Sequence, residues 1–190
     1  MKSSIKLTEV TKVYLITMFV TAILGVNPVQ ADSMPPEVQI KVETYKKKLV
    51  VWASDPSVIE AVKDSNDRGG ITGMNNVKWD VLSDSDPLIL WLNLSTEGKK
   101  ITQWEEDPAI DKLILRDLNA NLVASSYLNG KPLMYNNASR APFQNGLKGT
   151  WSANEIKPDP TTHRMAVQIA VPVLDGDKVI GVLHSAVLVQ

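Results

Sequence analysis

The stretch from Met165 to Leu188 constrains the fold most, because it reads as two β-strands joined by a tight turn. Apolar side chains recur at every second residue of the first arm, which is the period that sends side chains to one face of a sheet. These residues are Met165, Val167, Ile169, Val171 and Val173. Leu174-Asp175-Gly176-Asp177 supplies the turn, in which Gly176 can adopt a positive φ. The return arm, 179–183, is apolar on both faces, which predicts a central strand covered on both sides.

The first 31 residues predict a secretory signal peptide (1–31). The chain starts with several lysines, continues with a 14-residue apolar run at 13–26, and then places small residues at Val29-Gln30-Ala31. The alternative, an uncleaved membrane anchor, is disfavoured because a spanning helix needs about 20 apolar residues. The mature chain would then be 32–190, which is long enough for one domain. We expect export to a Gram-negative periplasm, with secretion as the alternative.

Charge and cysteine content exclude several classes of function. The chain has 20 basic and 21 acidic residues, so no basic surface for nucleic acid is indicated. It has no cysteine, which excludes a disulfide framework, a thiolate metal site and a cysteine nucleophile. The exported domain must therefore be stabilised by its hydrophobic core.

A long helix is predicted to begin at Pro35-Pro36-Glu37. Apolar side chains follow at steps of four, three, four and three. They are Val38, Val42, Tyr45, Leu49 and Trp52. This seam favours a helix lying along a sheet, and the alternative is a homodimer seam between two chains. A second helix is predicted from Pro56, mostly helical structure over 71–94, and an exposed loop at 97–100.

A first hairpin is predicted from the apolar arms 113–116 and 122–124. Between the two hairpins lies a polar segment, 127–160, that is rich in Asn, Pro and Gly, with a short strand predicted around Trp151. Loops this long in compact domains are usually functional or disordered. Four aromatic residues favour an ordered, functional segment: Tyr127, Tyr135, Phe143 and Trp151.

Together these patterns resemble the extracytoplasmic Cache (PDC-type, PAS-like) sensor domain. The resemblance covers Pro35 to Val189, and the motifs WASDPSVIEAV, LRDLNANLVASS and VQIAVPVLDGDKVIGVL carry it. It implies a single α+β domain, with a long N-terminal helix packed on a five-stranded antiparallel sheet. It also implies a small-molecule pocket between that sheet and the polar segment 127–160, which crosses the sheet and is called the crossing segment below.

The sequence departs from the family pattern in two places. Members usually sit between transmembrane helices and signal into a kinase, cyclase or chemoreceptor module, whereas this sequence ends just after the last predicted strand. We therefore expect a freestanding domain. Many relatives carry an acidic residue before an aromatic in the crossing segment, where this chain has Tyr135-Asn136-Asn137-Ala138-Ser139-Arg140. The ligand class therefore does not carry over from the resemblance.

Catalytic signatures are lacking, and neither an enzyme, a cofactor nor a metal site is expected. The two histidines lie 21 residues apart, and no HExxH motif, nucleophile elbow or phosphate-binding glycine loop occurs. His184 is expected to be a satisfied histidine within the sheet.

The crossing segment and the residues after it offer a ligand-binding set instead. The guanidinium of Arg140 suits a carboxylate, and Asp159 could accept a hydrogen bond from an ammonium or hydroxyl group. Three aromatic residues offer apolar walls with polar tips: Tyr127, Tyr135 and Trp151. His163 completes the predicted set. The alternatives are a surface charge for Arg140, a turn cap for Asp159, a core position for Trp151 and a turn position for His163.

The favoured hypothesis is an exported domain that binds a small polar metabolite and presents the bound state to a membrane-bound sensor or transporter. The alternative is an interaction module with a vestigial pocket, which docks or homodimerises through the seam of the N-terminal helix. A hydrolase has no positive support in the sequence.

Overall fold

The computed structural model describes residues 34–126, 128 and 130–189, so the predicted signal peptide and Tyr127 lie outside the described residues. The helices are α1 (Pro36–Ala53), α2 (Pro56–Arg68), α3 (Asn76–Asp80), α4 (Pro87–Leu94), α5 (Thr96–Glu105) and α6 (Ala141–Gly146). The strands are β1 (Ile110–Asp117), β2 (Leu122–Ser125), β3 (Trp151–Ser152), β4 (Lys157–Pro158), β5 (Met165–Asp175) and β6 (Lys178–Leu188). Within this part of the chain, no helix combines the length and apolar character that crossing a membrane requires.

The six strands form one antiparallel sheet in the order β2-β1-β6-β5-β3, and β4 also pairs with β5. Because β3 pairs with 169–170 and β4 with 165–166, the two short strands share the fifth position of the sheet. The predicted α+β fold with a five-stranded sheet is therefore confirmed, with its last position divided in two. The C-terminal hairpin is β5–β6, Gly176 in its turn has φ +61°, and β6 is the central strand as predicted.

Helix α1 covers one face of the sheet. Val38, Val42 and Leu49 are buried there, and they pack in one core with the alternating valine and isoleucine side chains of β5. The prediction that this helix lies along the sheet is confirmed. Three of the five seam residues are therefore engaged within the chain. Homodimerisation through the N-terminal helix stays a prediction.

A glycine lets helix α2 approach the centre of the sheet. A Cβ atom on Gly181 of β6 would lie 2.4 Å from the carbonyl oxygen of Arg116 and 2.7 Å from Cγ1 of Val62. Asn66 of α2 then joins the ends of two strands, since its Nδ2 donates to the Ile180 carbonyl and its Oδ1 accepts from the Leu118 N–H. The helix and the two central strands are thus fixed together at this end of the sheet.

The exposed loop predicted at 97–100 is wrong, because these residues belong to α5. The Oγ of Ser95 accepts a hydrogen bond of 2.9 Å from the Gly98 N–H and caps the helix. Gly98 is buried against the end of α4, where a Cβ atom would lie 2.2 Å from the Leu92 carbonyl oxygen. The capping serine followed by Glu97 was the sequence signal for a helix start.

Candidate functional site

The face of the sheet opposite α1 carries polar and charged side chains. In β1, Leu113 and Leu115 contribute to the core under α1, and the alternating residues 112, 114 and 116 lie on the other face. The register places Ile114 of β1 and Ala170 of β5 on either side of His184 in the central strand β6. Gln168 lies two residues from Ala170 on the same face. Of these residues, Ile114, Gln168 and His184 lie in the floor of a cavity.

The cavity has a volume of about 310 Å³, at the lower end of the roughly 300–1,000 Å³ found for small-molecule sites. It lies between the sheet and the crossing segment, where the resemblance placed a pocket. The floor residues are Lys112, Ile114, Arg116, Gln168 and His184. The walls are Pro132, Leu133, Met134, Asn137, Arg140, Pro142, Lys157, Pro158, Pro160 and Thr161.

Arg116 connects the floor of the cavity to its wall through hydrogen bonds. It is buried, and its guanidinium donates hydrogen bonds to the carbonyl oxygens of Met134 (2.9 Å), Tyr135 (2.7 Å) and Ala120 (3.0 Å). Burial lowers the pKa of Arg116 to about 9, opposed by the negative charge of Asp117, so the side chain stays positive at neutral pH. A buried positive charge is thereby held at the base of the cavity.

Four polar side chains form a chain of contacts across the floor and beneath it. Lys112 Nζ lies 2.5 Å from Oδ2 of Asp159, and Nε2 of Gln168 donates to the same oxygen at 2.9 Å. The other carboxylate oxygen accepts from the Thr161 N–H at 2.8 Å. Since its amide nitrogen is engaged by Asp159, Gln168 presents Oε1 to His184 Nε2. This orientation places the proton of the neutral imidazole on Nε2.

The pKa values of Asp159 and His184 follow from this network. Burial raises the pKa of Asp159, but hydrogen bonds and charge from Lys112, with the Thr161 N–H and Gln168, outweigh burial and hold the pKa below its usual range. Burial lowers the pKa of His184 to about 3, and the positive charges of Lys112 and Arg116 add to this effect. At neutral pH the floor therefore holds an uncharged histidine, and an ionised aspartate lies beneath it.

The low pKa of His184 predicts a loss of stability on acidification. The unfolded chain takes up a proton on this histidine below about pH 6.5, whereas the folded protein does not do so until about pH 3. The free energy of unfolding should therefore fall by about 2 kcal/mol between pH 7 and pH 5 from this residue alone. Denaturant unfolding of the parent protein and of His184→Gln at both pH values measures the effect. An equal fall in both proteins would contradict it.

Arg140, Asp159 and Trp151 lie at or near the cavity. Arg140 is exposed at the start of α6 and lines the cavity. Asp159 is fully buried beneath the floor, where it contacts Lys112 and Gln168 rather than the open space. Trp151 is half-buried on the same face of the sheet, where it packs with Phe143 outside the cavity lining.

Tyr135 and His163 lie away from the cavity lining. Tyr135 is buried, its hydroxyl accepts a 2.6 Å hydrogen bond from the Ile71 N–H, and its ring packs against Trp79 at a centroid distance of 5.8 Å. His163 is an exposed turn residue with φ +59°. The structure therefore brings Arg140 to the cavity and Asp159 beneath it, while Tyr127 lies outside the described residues.

None of the five floor residues was among the site residues predicted from the sequence: Lys112, Ile114, Arg116, Gln168 and His184. A signal for two of them existed, because Lys112 and Arg116 alternate with Leu113 and Leu115 along one strand. Two cations on the face opposite a buried leucine pair indicate a charged patch on that face of the sheet.

Unpartnered polar atoms concentrate among the cavity residues. Of the described residues, four have a buried side-chain polar atom without a hydrogen-bond partner, and three of these residues line the cavity. The three atoms are Arg116 Nε, Asn137 Oδ1 and His184 Nδ1. Each such atom costs about 1–3 kcal/mol when it is left unpaired, so a concentration at one place calls for a functional explanation.

The described part of the chain contains no group of three or more histidine, cysteine, aspartate or glutamate side chains that could hold a metal ion. A crevice of about 20 Å³ adjoins the cavity and shares four lining residues with it: Lys112, Ile114, Pro132 and Thr161. Glu105 lines this crevice, where its carboxylate accepts a 2.8 Å hydrogen bond from the Leu113 N–H. The crevice has room for about one water molecule.

The sequence matches no protein-family model and no curated protein. Among solved structures, the sensor domain of the V. cholerae histidine kinase DctB superposes with a TM-score of 0.52 over 78% of this chain and 49% of that chain, at 16% sequence identity. The fold is that of a Cache-type sensor domain. The resemblance found in the sequence is thus confirmed at the level of the fold, and the chain spans about half the length of the DctB structure.

Two further structures are similar over most of this chain. The ligand-binding domain of the Campylobacter jejuni chemoreceptor Tlp3, in complex with L-valine, is 12% identical with a TM-score of 0.40, over 82% of this chain and 64% of that chain. The ligand-binding domain of Mlp24 with asparagine is 16% identical with a TM-score of 0.36, over 80% of this chain and 60% of that chain.

Proposed function

We propose that this protein is an exported Cache-type domain that binds a small polar metabolite between the sheet and the crossing segment. The observation that supports this proposal is the cavity of about 310 Å³, whose floor combines buried Arg116 with Lys112, Gln168 and His184, linked from beneath by Asp159. A cavity of this size with a few convergent polar groups is typical of small-molecule binding sites.

The chemistry of the floor supports binding rather than catalysis. An efficient general acid or base has a pKa near the working pH, whereas burial lowers the pKa of His184 to about 3. The carboxylate of Asp159 is already paired with Lys112. We therefore assign these groups to shaping and charging the site.

The proposed function includes a location and a partner. We propose that the domain acts in the periplasm and presents its bound state to a membrane-bound sensor or transporter. The support is a fold-level analogy to the DctB structure, which is the sensor domain of a histidine kinase.

A thermal-unfolding screen against amino acids, organic acids, amines and purines tests the binding function. A compound at about 100 times its dissociation constant should raise the free energy of unfolding by roughly 2.7 kcal/mol. Met134→Trp, which adds bulk to the cavity wall, should abolish the stabilisation, and Leu118→Trp, at an exposed site outside the lining, should leave it intact. The proposal would be refuted if no compound in the screen stabilised the protein, or if the stabilisation persisted in Met134→Trp.

A further inference from the structure

We infer that the ligand of this cavity is a short-chain carboxylate that carries no amino group. The inference rests on the proposed binding function and names its ligand class. The described residues that line the cavity include four basic side chains and no acidic one. The four are Lys112, Arg116, Arg140 and Lys157. Cavities lined by one sign of charge concentrate ligands of the opposite sign.

Two of the four cations are neutralised within the chain and two are not. Lys112 is paired with Asp159, and Lys157 lies 2.5 Å from the carboxylate of Glu155. Neither Arg116 nor Arg140 forms an ion pair in the part of the chain that the structure describes. The exposed guanidinium of Arg140 at the rim is therefore left for an anion, while Arg116, whose Nη atoms already donate to backbone carbonyls, contributes its positive charge from the floor.

The acidic residues around the site have their oxygens engaged already. Asp159, which the sequence suggested as a partner for an ammonium group, is fully buried and accepts from Lys112, Gln168 and the Thr161 N–H. Asp117 is fully buried too, and it accepts from the Ser65 hydroxyl and from the backbone and side chain of Asn121. An ammonium group in the cavity would meet no acidic side chain in the described lining, and it would be repelled by the Arg140 guanidinium at the rim.

The shape of the site suits a carboxylate with an apolar body. A guanidinium offers a planar set of donors that matches the two oxygens of a carboxylate. Much of the wall is apolar, and includes Pro132, Leu133, Met134 and Pro142. Arg116 holds its buried positive charge at the base of the site. The volume of about 310 Å³ limits the ligand to a short chain.

Calorimetric titration with three probes of one carbon skeleton tests the charge preference. The probes are isovalerate, which has a carboxylate alone, L-valine, which adds an ammonium, and isoamylamine, which has an ammonium alone. Isovalerate should bind at least about 10-fold more tightly than L-valine, since an unpaired ammonium is costly in such a site, and isoamylamine should not bind. L-valine or isoamylamine binding as tightly as isovalerate would overturn the inference.

Arg140 offers the sharpest variant, because it is exposed and should not affect folding. Arg140→Ala should weaken isovalerate binding about 10- to 100-fold, the loss expected for a hydrogen bond to a charged group, and Arg140→Lys should recover part of it. Lys148→Ala removes one exposed positive charge from the crossing segment at a position outside the cavity lining, so this variant should bind isovalerate as tightly as the parent protein does. If Arg140→Ala and Lys148→Ala lost isovalerate affinity equally, the loss would reflect the surface charge in general and not a contact at Arg140, and the inference would be overturned.

The two proposals fail in different ways. Amines or amino acids that bind in preference to carboxylates, with binding lost in Met134→Trp, would overturn the carboxylate inference and keep the binding function. Binding of none of the three probes overturns the inference directly. If no member of the broader screen binds either, the binding function fails with it.

Discussion

Replacement of Asp159 by alanine is expected to lower the free energy of unfolding by about 3–5 kcal/mol, the usual cost of removing one partner of a buried ion pair. The Lys112 side chain is only 13% exposed, so the variant leaves a poorly solvated cation without its partner. It also removes the acceptor for Gln168 Nε2 and the Thr161 N–H. Because the folded pKa of Asp159 is lowered, this contribution is present above its ordinary pKa and is lost as pH falls through the folded value.

A second ion pair at the cavity rim provides the control. Glu155 and Lys157 are 59% and 64% exposed, so Glu155→Ala should cost only about 0–1 kcal/mol. Denaturant unfolding of both variants at pH 7 compares the two pairs, and Asp159→Asn should fall between them because it keeps the side-chain shape. A cost in Asp159→Ala no greater than that in Glu155→Ala would show that the network does not stabilise the floor.

Trp79→Ala is expected to cost about 3–5 kcal/mol, since it empties a large, fully buried site. The tryptophan also anchors the crossing segment: its Nε1 donates a 2.6 Å hydrogen bond to the Pro132 carbonyl, and its ring packs against Tyr135. Lys131 Nζ donates back to the Trp79 carbonyl at 2.9 Å. Loss of these contacts should loosen the cavity wall and weaken ligand binding as well.

Trp91→Ala is the matched control on the neighbouring helix α4. Its side chain is 52% exposed, so the change should cost less than about 1 kcal/mol and leave binding unaffected. Trp79→Phe retains much of the packing but removes the N–H donor, so it separates the contribution of packing from that of the hydrogen bond to the Pro132 carbonyl. Similar unfolding curves for the two alanine variants would contradict the role assigned to Trp79.

The sheet and its covering helix could be predicted from the sequence because their signals are periodic and local. Alternation along Val167–Val173, the apolar return arm and the seam of α1 each specify which face is buried. The helix α5 was missed because charged residues around Gly98 suggested a loop, although the cap at Ser95 indicated a helix start.

The cavity floor could not be assembled from the sequence, because its members become neighbours through strand register. Lys112, Gln168 and His184 are far apart in the chain and meet only because β6 lies between β1 and β5. The sequence also supplied a carboxylate at Asp159 without its partner. In the structure Asp159 is paired with Lys112, so it supports the floor from beneath and does not contact the open space of the cavity.

The most direct test is a crystal structure of the protein with isovalerate. We predict the probe inside the cavity, with its carboxylate within hydrogen-bonding distance of the Arg140 guanidinium and its carbon chain against the apolar wall. A probe bound outside the cavity, or one whose carboxylate points away from both Arg116 and Arg140, would contradict the account.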